Sequence, residues 1–293
     1  LDLKSMIYLF LHVVLLSGFG IFLKDAENRG HRLDPIGLVN YATAFVFSCA
    51  LAYQTNSFTF TPLTLVFGLA TGISYAFGFV LVVAGMRLSG IVVTTAVIGL
   101  SMILPILFSV IVWNEDPNLW QTLGILISLV ALPLLSRTTK STQDTNRPTW
   151  YATPKIGLIV VVLLFLNAGV GRLTMKGFNE MCPIDQKPMY LFFLFIVTTV
   201  SYLFICLHKR QLPTILELGY GILIGVCNVL GSGTFIAALD RVDALIAFPV
   251  SGSGGILFTT TVGILVLGER LNKRLAVGVV LAIISLILVN LDF

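Results

Sequence analysis

Tyr75 and Asn228 have the side chains best suited to binding chemistry, since both lie inside long apolar segments at matching places, 228 − 75 = 153 residues apart. A phenol and an amide both donate and accept hydrogen bonds, which suits a neutral or zwitterionic solute. Further hydroxyl and amide side chains could complete a solute-binding site: Asn167, Thr94, Ser101, Ser232, Ser251 and Ser253. Each is equally able to hydrogen-bond a neighbouring helix, so the set is more informative than any one member.

Two ionisable residues within apolar segments have two interpretations each. Arg172, about one turn from the predicted end of its segment, is suited to a bidentate contact with a carboxylate or phosphate, or to snorkelling towards the headgroups. His12 is suited to proton coupling, or to a hydrogen bond with another helix. All 14 acidic residues fall in loops or near predicted helix ends, which disfavours a carboxylate proton relay and leaves uniport, solute exchange or coupling through His12.

The sequence disfavours an enzyme. Its three histidines, His12, His31 and His208, are scattered and have no paired carboxylates for metal or phosphate chemistry. The four cysteines have no metal-ligand spacing. We therefore expect no catalytic residue, no metal site and no cofactor.

The elements that must position these residues are membrane helices. Of 293 residues, 57% are hydrophobic and only 11% are charged, with a mean hydropathy of +0.97. This small number of charges cannot keep a chain of this size in water. Lipid must therefore cover most of its exterior. The apolar runs predict ten transmembrane spans, in chain order 6–23, 36–52, 63–85, 91–113, 119–135, 156–175, 190–207, 215–239, 244–267 and 271–291.

An internal repeat organises these spans. Four glycines of the first half, Gly68, Gly72, Gly78 and Gly99, recur 153 residues later. The opening spans also correspond: 17–20 matches 168–171, and Asp34 matches Asp185, both at an offset of 151. The predicted organisation is a first five-helix repeat (1–136), a polar linker (137–153) and a second five-helix repeat (154–293). Because five spans end on the opposite side from where they start, the second repeat must be inverted.

Helix breakers within the spans predict local distortion. Pro105 lies midway along the fourth span, and Pro249 and Gly252 lie in the glycine-rich ninth. These residues predict kinks or gating points whose freed backbone carbonyls face a cavity, or else kinks without solute contact.

Charge placement supports the inversion. Most of the 18 Lys and Arg residues fall in loops after odd-numbered spans, which places those loops in the cytoplasm and both termini outside.

Three short motifs accompany the two five-span repeats: 225–228 (Gly-Val-Cys-Asn), Phe248-Pro249 at the ninth span and 267–271 (Leu-Gly-Glu-Arg-Leu) before a glycine-containing last span. With these motifs the chain resembles EamA-type carriers of the drug/metabolite transporter superfamily. The resemblance implies that spans 1, 3, 4, 6, 8 and 9 line a central cavity, with spans 5 and 10 at the periphery.

These observations predict an all-α integral membrane protein of the cytoplasmic membrane: a secondary transporter that moves a small polar metabolite, an amino acid or related compound, by alternating access. A channel, or a receptor or assembly factor that moves no solute, are the alternatives. We expect a small-molecule solute and membrane lipid as partners, no nucleic acid, and a monomer or weak homodimer.

Overall fold

The computed structural model describes residues 3–105, 108, 118–135, 154–239, 241, 244–266 and 273–288. Across these ranges all regular structure is helical, as the sequence predicts. The helices are α1 (Leu3–Asn28), α2 (Leu33–Gln54), α3 (Pro62–Leu100), α4 (Leu119–Leu135), α5 (Pro154–Met181), α6 (Lys187–His208), α7 (Ile215–Leu239), α8 (Ala244–Leu265) and α9 (Lys273–Leu288), with a 3-10 turn (Ile184–Gln186) before α6.

Six segments are long and apolar enough to cross a bilayer, which makes this a multi-pass membrane protein. They are Met6–Asn28, Leu33–Gln54, Pro62–Pro105, Lys155–Met181, Ile184–His208 and Ile215–Leu239. The predicted fifth, ninth and tenth spans correspond to α4, α8 and α9, whose described apolar stretches are shorter. The count of ten spans stays a prediction.

Gly90 interrupts the longest of these segments. Pro62–Pro105 has 44 residues, which as one straight helix would measure about 66 Å, twice the hydrocarbon thickness. At Gly90 the backbone has φ 83° and ψ 169°, a conformation that glycine adopts without steric cost. This break falls between residues 85 and 91, where the sequence predicts the end of one span and the start of the next.

The helices form two compact units, each with segments from both halves of the sequence. The first unit consists of Leu1–Phe79 and Val170–Val242, and the second of Val80–Gly169 and Asp243–Phe293. The first unit therefore contains α1, α2, the first part of α3, the last part of α5, α6 and α7. The second contains the remainder of α3 and α5, with α4, α8 and α9.

Glycines seat the helices of the first unit against one another in two equivalent ways. A Cβ at Gly72 would lie 2.7 Å from the carbonyl oxygen of Leu194, and a Cβ at Gly225 would lie 2.6 Å from that of Asn40. A Cβ at Gly68 would likewise lie close to a backbone carbonyl oxygen of α6, and a Cβ at Gly221 to one of α2. The packing of α3 on α6 thus repeats as the packing of α7 on α2, with Leu194 in the place of Asn40, 194 − 40 = 154 residues later.

Counterpart helices run in opposite directions. Asp34 at the start of α2 is paired with Lys209, just after the end of α6, at 2.6 Å. Phe45, further along α2, contacts Phe192 near the start of α6, with ring centroids 5.2 Å apart. The two helices are therefore antiparallel.

The packing also corrects the predicted register of α1 and α5. A Cβ at Gly18 would lie 3.5 Å from the Cys227 sulfur, and a Cβ at Gly171 would lie 2.9 Å from the Ser74 hydroxyl oxygen. Since 227 − 74 and 171 − 18 both equal 153, Gly18 corresponds to Gly171. The offset of 151 predicted for this pair of helices was wrong, because it matched the small residues by letter.

The offset of 151 was also wrong for Asp34 and Asp185. Asp34 lies in the first turn of α2, whereas Asp185 lies in the 3-10 turn before α6. The glycine contacts place α6 154 residues after α2, so the counterpart of Asp34 is Pro188.

Counterpart helices also meet in the second unit. A Cβ at Gly99 of α3 would lie 3.5 Å from the carbonyl oxygen of Gly252 in α8, its counterpart at 252 − 99 = 153. The Ser285 hydroxyl of α9 donates a 2.7 Å hydrogen bond to the carbonyl oxygen of Gly124 in α4. Hydrogen bonding and close glycine contacts are what hold helices together where apolar burial favours no particular partner.

Candidate functional site

His12 links α1 to α7 in the interior of the first unit. Its Nδ1 lies 2.8 Å from the carbonyl oxygen of Gly231, and its ring lies on Phe235 with centroids 4.4 Å apart. A carbonyl only accepts, so Nδ1 carries the proton and donates it. The ring is 6% exposed. The interhelical hydrogen bond proposed from the sequence is therefore present, and proton coupling by His12 stays a prediction.

Tyr75 lies where α3 meets α7. Its hydroxyl is hydrogen-bonded to the buried side chain of Ser232, and its backbone carbonyl accepts a 3.0 Å bond from the Tyr41 hydroxyl. The Tyr75 side chain is partly exposed. A tyrosine fixed at both its backbone and its hydroxyl has a defined position from which to contact a solute.

Arg172 lies on the part of α5 that packs on α3, because Gly171 allows the two helices to approach closely at Ser74. The guanidinium charge acts on both the Tyr75 phenol and the His12 imidazole. These electrostatic interactions and the Tyr75–Ser232 hydrogen bond link His12, Tyr75, Arg172 and Ser232 into one group, which we call the polar cluster. The Arg172 side chain is itself partly exposed.

Arg172 lies deeper in its helix than the sequence predicts. The predicted sixth span ended at Met175, but α5 continues to Met181. Arg172 is therefore nine residues, or about 13 Å, from the helix end. The helix runs past the predicted end of the span because polar residues such as Lys176 and Glu180 continue it instead of ending it.

Asn228 lies one turn before Ser232 on α7 and pairs with a residue that the sequence analysis missed. Its Nδ2 donates to Oδ1 of Asn40 on α2 at 3.1 Å, in a buried contact. Asn40 is fully buried, and its own Nδ2 has no hydrogen-bond partner among the described residues. An asparagine in the middle of an apolar span is the same signal that identified Asn228, and it would have found Asn40.

A chain of hydroxyls lies next to the polar cluster. Tyr190 donates to Thr71 at 3.0 Å, and Thr71 lies 2.9 Å from Thr174, two residues after Arg172 on α5. Tyr190 and Thr71 are fully buried. This chain joins α3, α5 and α6 and fixes the part of α5 that carries Arg172.

Four predicted site residues lie in the second unit. Thr94 and Ser101 are buried, and their hydroxyls bond backbone carbonyls of their own helix, of Gly90 and Ile98, at 2.7 Å each. Ser251 is buried in α8, and Asn167 is partly exposed on α5. The role of each in solute binding stays a prediction.

The three predicted kink residues also belong to the second unit. Pro105 lacks the N–H that would bond the Ser101 carbonyl, and that carbonyl accepts instead from Leu104 N–H at 3.1 Å. The helix α3 ends just before this turn, at Leu100. Pro249 and Gly252 lie within α8, Gly252 at its contact with Gly99, whereas the side chains of Pro249 and Ser253 lie outside the described residues.

Two further findings on the described residues concern metal binding and an apolar groove. No group of three or more His, Cys, Asp or Glu side chains in the described ranges is placed to hold a metal ion. A groove of about 490 Å³ on the first unit is almost entirely apolar. Its lining residues are Leu38, Val39, Ala42, Thr43, Val46, Phe47, Pro213, Leu218 and Ile222.

These helices and their repeated packing define a multi-pass membrane protein of duplicated architecture. The sequence profile of the EamA-like transporter family matches the chain twice, over residues 3–137 and 155–291. The chain belongs to the EamA-like transporter family, which confirms the resemblance found in the sequence. Membership implies a small-molecule solute and a lipid environment.

Individual relatives support the fold. The chain is 22% identical over 272 residues to an uncharacterised protein of Haemophilus influenzae, which covers 90% of each chain. It also matches a protein of known crystal structure at 12% identity, with a TM-score of 0.65 over 98% of this chain and 96% of that one. At this identity the structural match shows the fold alone.

Proposed function

We propose that this protein is a secondary transporter that carries a small polar metabolite, an amino acid or a related compound, across the cytoplasmic membrane. The observation that carries the proposal is the polar cluster of His12, Tyr75, Arg172 and Ser232, which lies within membrane-spanning helices. Ionisable groups at such depth are costly to keep in lipid and mark solute or ion pathways. Asn228, one turn from Ser232, extends the polar surface towards α2.

The mechanism we propose is alternating access between two inverted five-helix repeats. Support comes from the glycine contacts that repeat between α3 with α6 and α7 with α2, and from the antiparallel direction of α2 and α6. Two copies of one module in opposite orientation can exchange conformations, so that one central site opens to each side in turn. The repeats proposed here are 1–136 and 154–293, joined by the linker 137–153, and together they form a single transport unit that works as a monomer or weak homodimer.

Uniport or solute exchange fits this site better than proton coupling. The acidic residues of the sequence fall in loops or near helix ends, and His12 donates its Nδ1 proton to Gly231. A coupling group must gain and lose a proton during the cycle. Protonation of His12 would place a second positive charge near Arg172.

Transport assays on purified protein in liposomes test the proposal. We expect saturable uptake and counterflow of at least one solute from a radiolabelled panel of amino acids and related organic acids. Arg210→Gln, which removes a charge from an exposed loop, is the matched control and should transport like the parent. Flux that rises linearly with concentration would indicate a channel. No solute movement, together with a stable copurifying protein, would indicate a receptor or assembly factor, and either result contradicts the proposal.

A further inference from the structure

We infer that Arg172 binds a carboxylate of the transported solute, with Tyr75 and Ser232 completing the contact. This inference rests on the proposed transport function and narrows its solute class to compounds that carry a carboxylate, with or without an amino group. It follows from the neighbours of Arg172 and from its counterpart in the first repeat.

The surroundings of Arg172 favour a contact with solute over snorkelling into the headgroups. Gly171, next to Arg172, packs on Ser74 of α3, and the Thr174 hydroxyl, two residues after Arg172, lies 2.9 Å from that of Thr71 on α3. Its charge acts on Tyr75 of α3 and His12 of α1, so it lies among helices of the first unit. A guanidinium held between helices and partly exposed is placed to meet a solute.

The first repeat shows what packing alone requires at this place. Arg172 follows Gly171, and Phe19 follows the counterpart glycine, Gly18. The Phe19 ring contacts Phe79 edge-on, with centroids 6.3 Å apart. An apolar aromatic side chain therefore satisfies the packing at this position of the repeat. The arginine of the second repeat adds a charge and a planar set of donors at this position.

The neighbours of Arg172 favour an anionic oxygen group. The Tyr75 hydroxyl, which is hydrogen-bonded to Ser232, and the His12 ring both interact electrostatically with the guanidinium. An arginine presents two parallel N–H groups that match the two oxygens of a carboxylate, and a hydroxyl can donate a third hydrogen bond.

Matched ligands test the inference directly. For methyl, isobutyl, benzyl and hydroxymethyl side chains, four probes each are compared: the amino acid, its amide, the deaminated acid and the amide of that acid. Affinity is measured by thermal shift of the purified protein and by inhibition of counterflow. The acids should bind roughly 10 to 100 times more tightly than their amides in at least one series. Hydrogen bonds to charged groups are strong, and a tenfold change in affinity needs only a small difference in binding free energy.

Substitutions at Arg172 then assign the preference to this residue. Arg172→Gln should reduce the ratio of acid to amide affinity to about threefold or less, since the two parallel N–H donors and the positive charge of the guanidinium are removed. Arg172→Lys should retain part of the ratio, because a lysine keeps the charge but not the planar fork. Arg210→Gln should keep the parent ratio. If Arg172→Gln does not fold, as judged by gel filtration and circular dichroism, the ratio in Arg172→Lys decides.

The outcomes separate the inference from the proposed function. If the parent transports a solute but binds amides as tightly as acids, or if the acid preference persists unchanged in the Arg172 variants, the carboxylate contact is overturned and the transporter stands. A parent that transports only solutes without a carboxylate overturns it equally. Failure of the parent to transport any probe, while remaining folded, counts against both.

Discussion

Arg32 and Glu217, 185 residues apart in the sequence, are joined by a two-pronged ion pair at one end of the first unit. Arg32 donates from Nε and Nη2 to the two carboxylate oxygens at 2.9 and 2.8 Å, and from its backbone N–H at 3.1 Å. The Thr214 backbone N–H adds a fourth bond at 2.8 Å. Hydrogen bonding to Glu217 raises the pKa of Arg32. The pair fixes the α1–α2 loop to the start of α7.

Glu217→Gln should destabilise the protein by about 2 to 4 kcal/mol, because a nearly buried carboxylate loses its charge while four donors still face it. The matched control is Asp34→Asn, which breaks the more exposed Lys209 pair and should cost less than about 1 kcal/mol. Thermal unfolding of the detergent-purified variants measures both. Equal melting temperatures for the two variants would contradict the structural role of the Arg32 pair.

Gly72 and Gly225 should both resist substitution by alanine. A methyl group at either would meet a backbone carbonyl oxygen at 2.7 or 2.6 Å, and a backbone contact cannot yield by a side-chain rotation. We expect a loss of about 1 to 3 kcal/mol for each. A Cβ added at Gly219 or Gly233 of α7 would meet no atom within 4 Å, so Gly219→Ala and Gly233→Ala should be neutral or slightly stabilising. Apparent melting temperatures that do not separate the two pairs would contradict this account of the helix contacts.

The helices and the repeat were predictable because each leaves a pattern that extends over many residues of the sequence. Apolar runs mark the spans, and the glycines at an offset of 153 proved to be contact points between helices. The register of α1 against α5 was not predictable in the same way. Small residues are frequent in such helices, so matching letters at an offset of 151 looked as good as the true 153, and only the contacts of Gly18 and Gly171 distinguish them.

The candidate site was predictable in its residues but not in its pairings. His12, Tyr75, Arg172 and Ser232 were each identified from polarity within an apolar span, and the structure brings them together. Which neighbour each side chain meets depends on helix rotation and on the length of α5, which no local pattern specifies. Sequence reasoning accordingly placed Arg172 too near the helix end, and it left Asn228 without its partner on α2.

His12→Gln should leave transport within about threefold of the parent, because a glutamine amide can still donate to the Gly231 carbonyl and hydrogen bonds of this kind are worth little net energy. Counterflow that does not change between pH 6 and pH 8 in both proteins is the expected result, since we propose no proton coupling through this residue. His12→Ala should lower stability by about 1 to 3 kcal/mol, as the ring contact with Phe235 is lost as well. Loss of pH-gradient-driven uptake in His12→Gln, with counterflow intact, would instead assign proton coupling to His12.

Tyr75→Phe and Asn228→Ala should affect transport and stability differently. Tyr75→Phe removes only the hydroxyl that bonds Ser232, so we expect the KM to rise by roughly 5- to 20-fold with little change in melting temperature. Asn228→Ala leaves the fully buried Asn40 without its partner, which should cost about 1 to 3 kcal/mol of stability. Adding Asn40→Leu should recover part of this loss, because leucine occupies the counterpart position, Leu194, on α6. Transport by Tyr75→Phe at the parental KM for the identified solute would show that the solute does not contact the polar cluster through Tyr75.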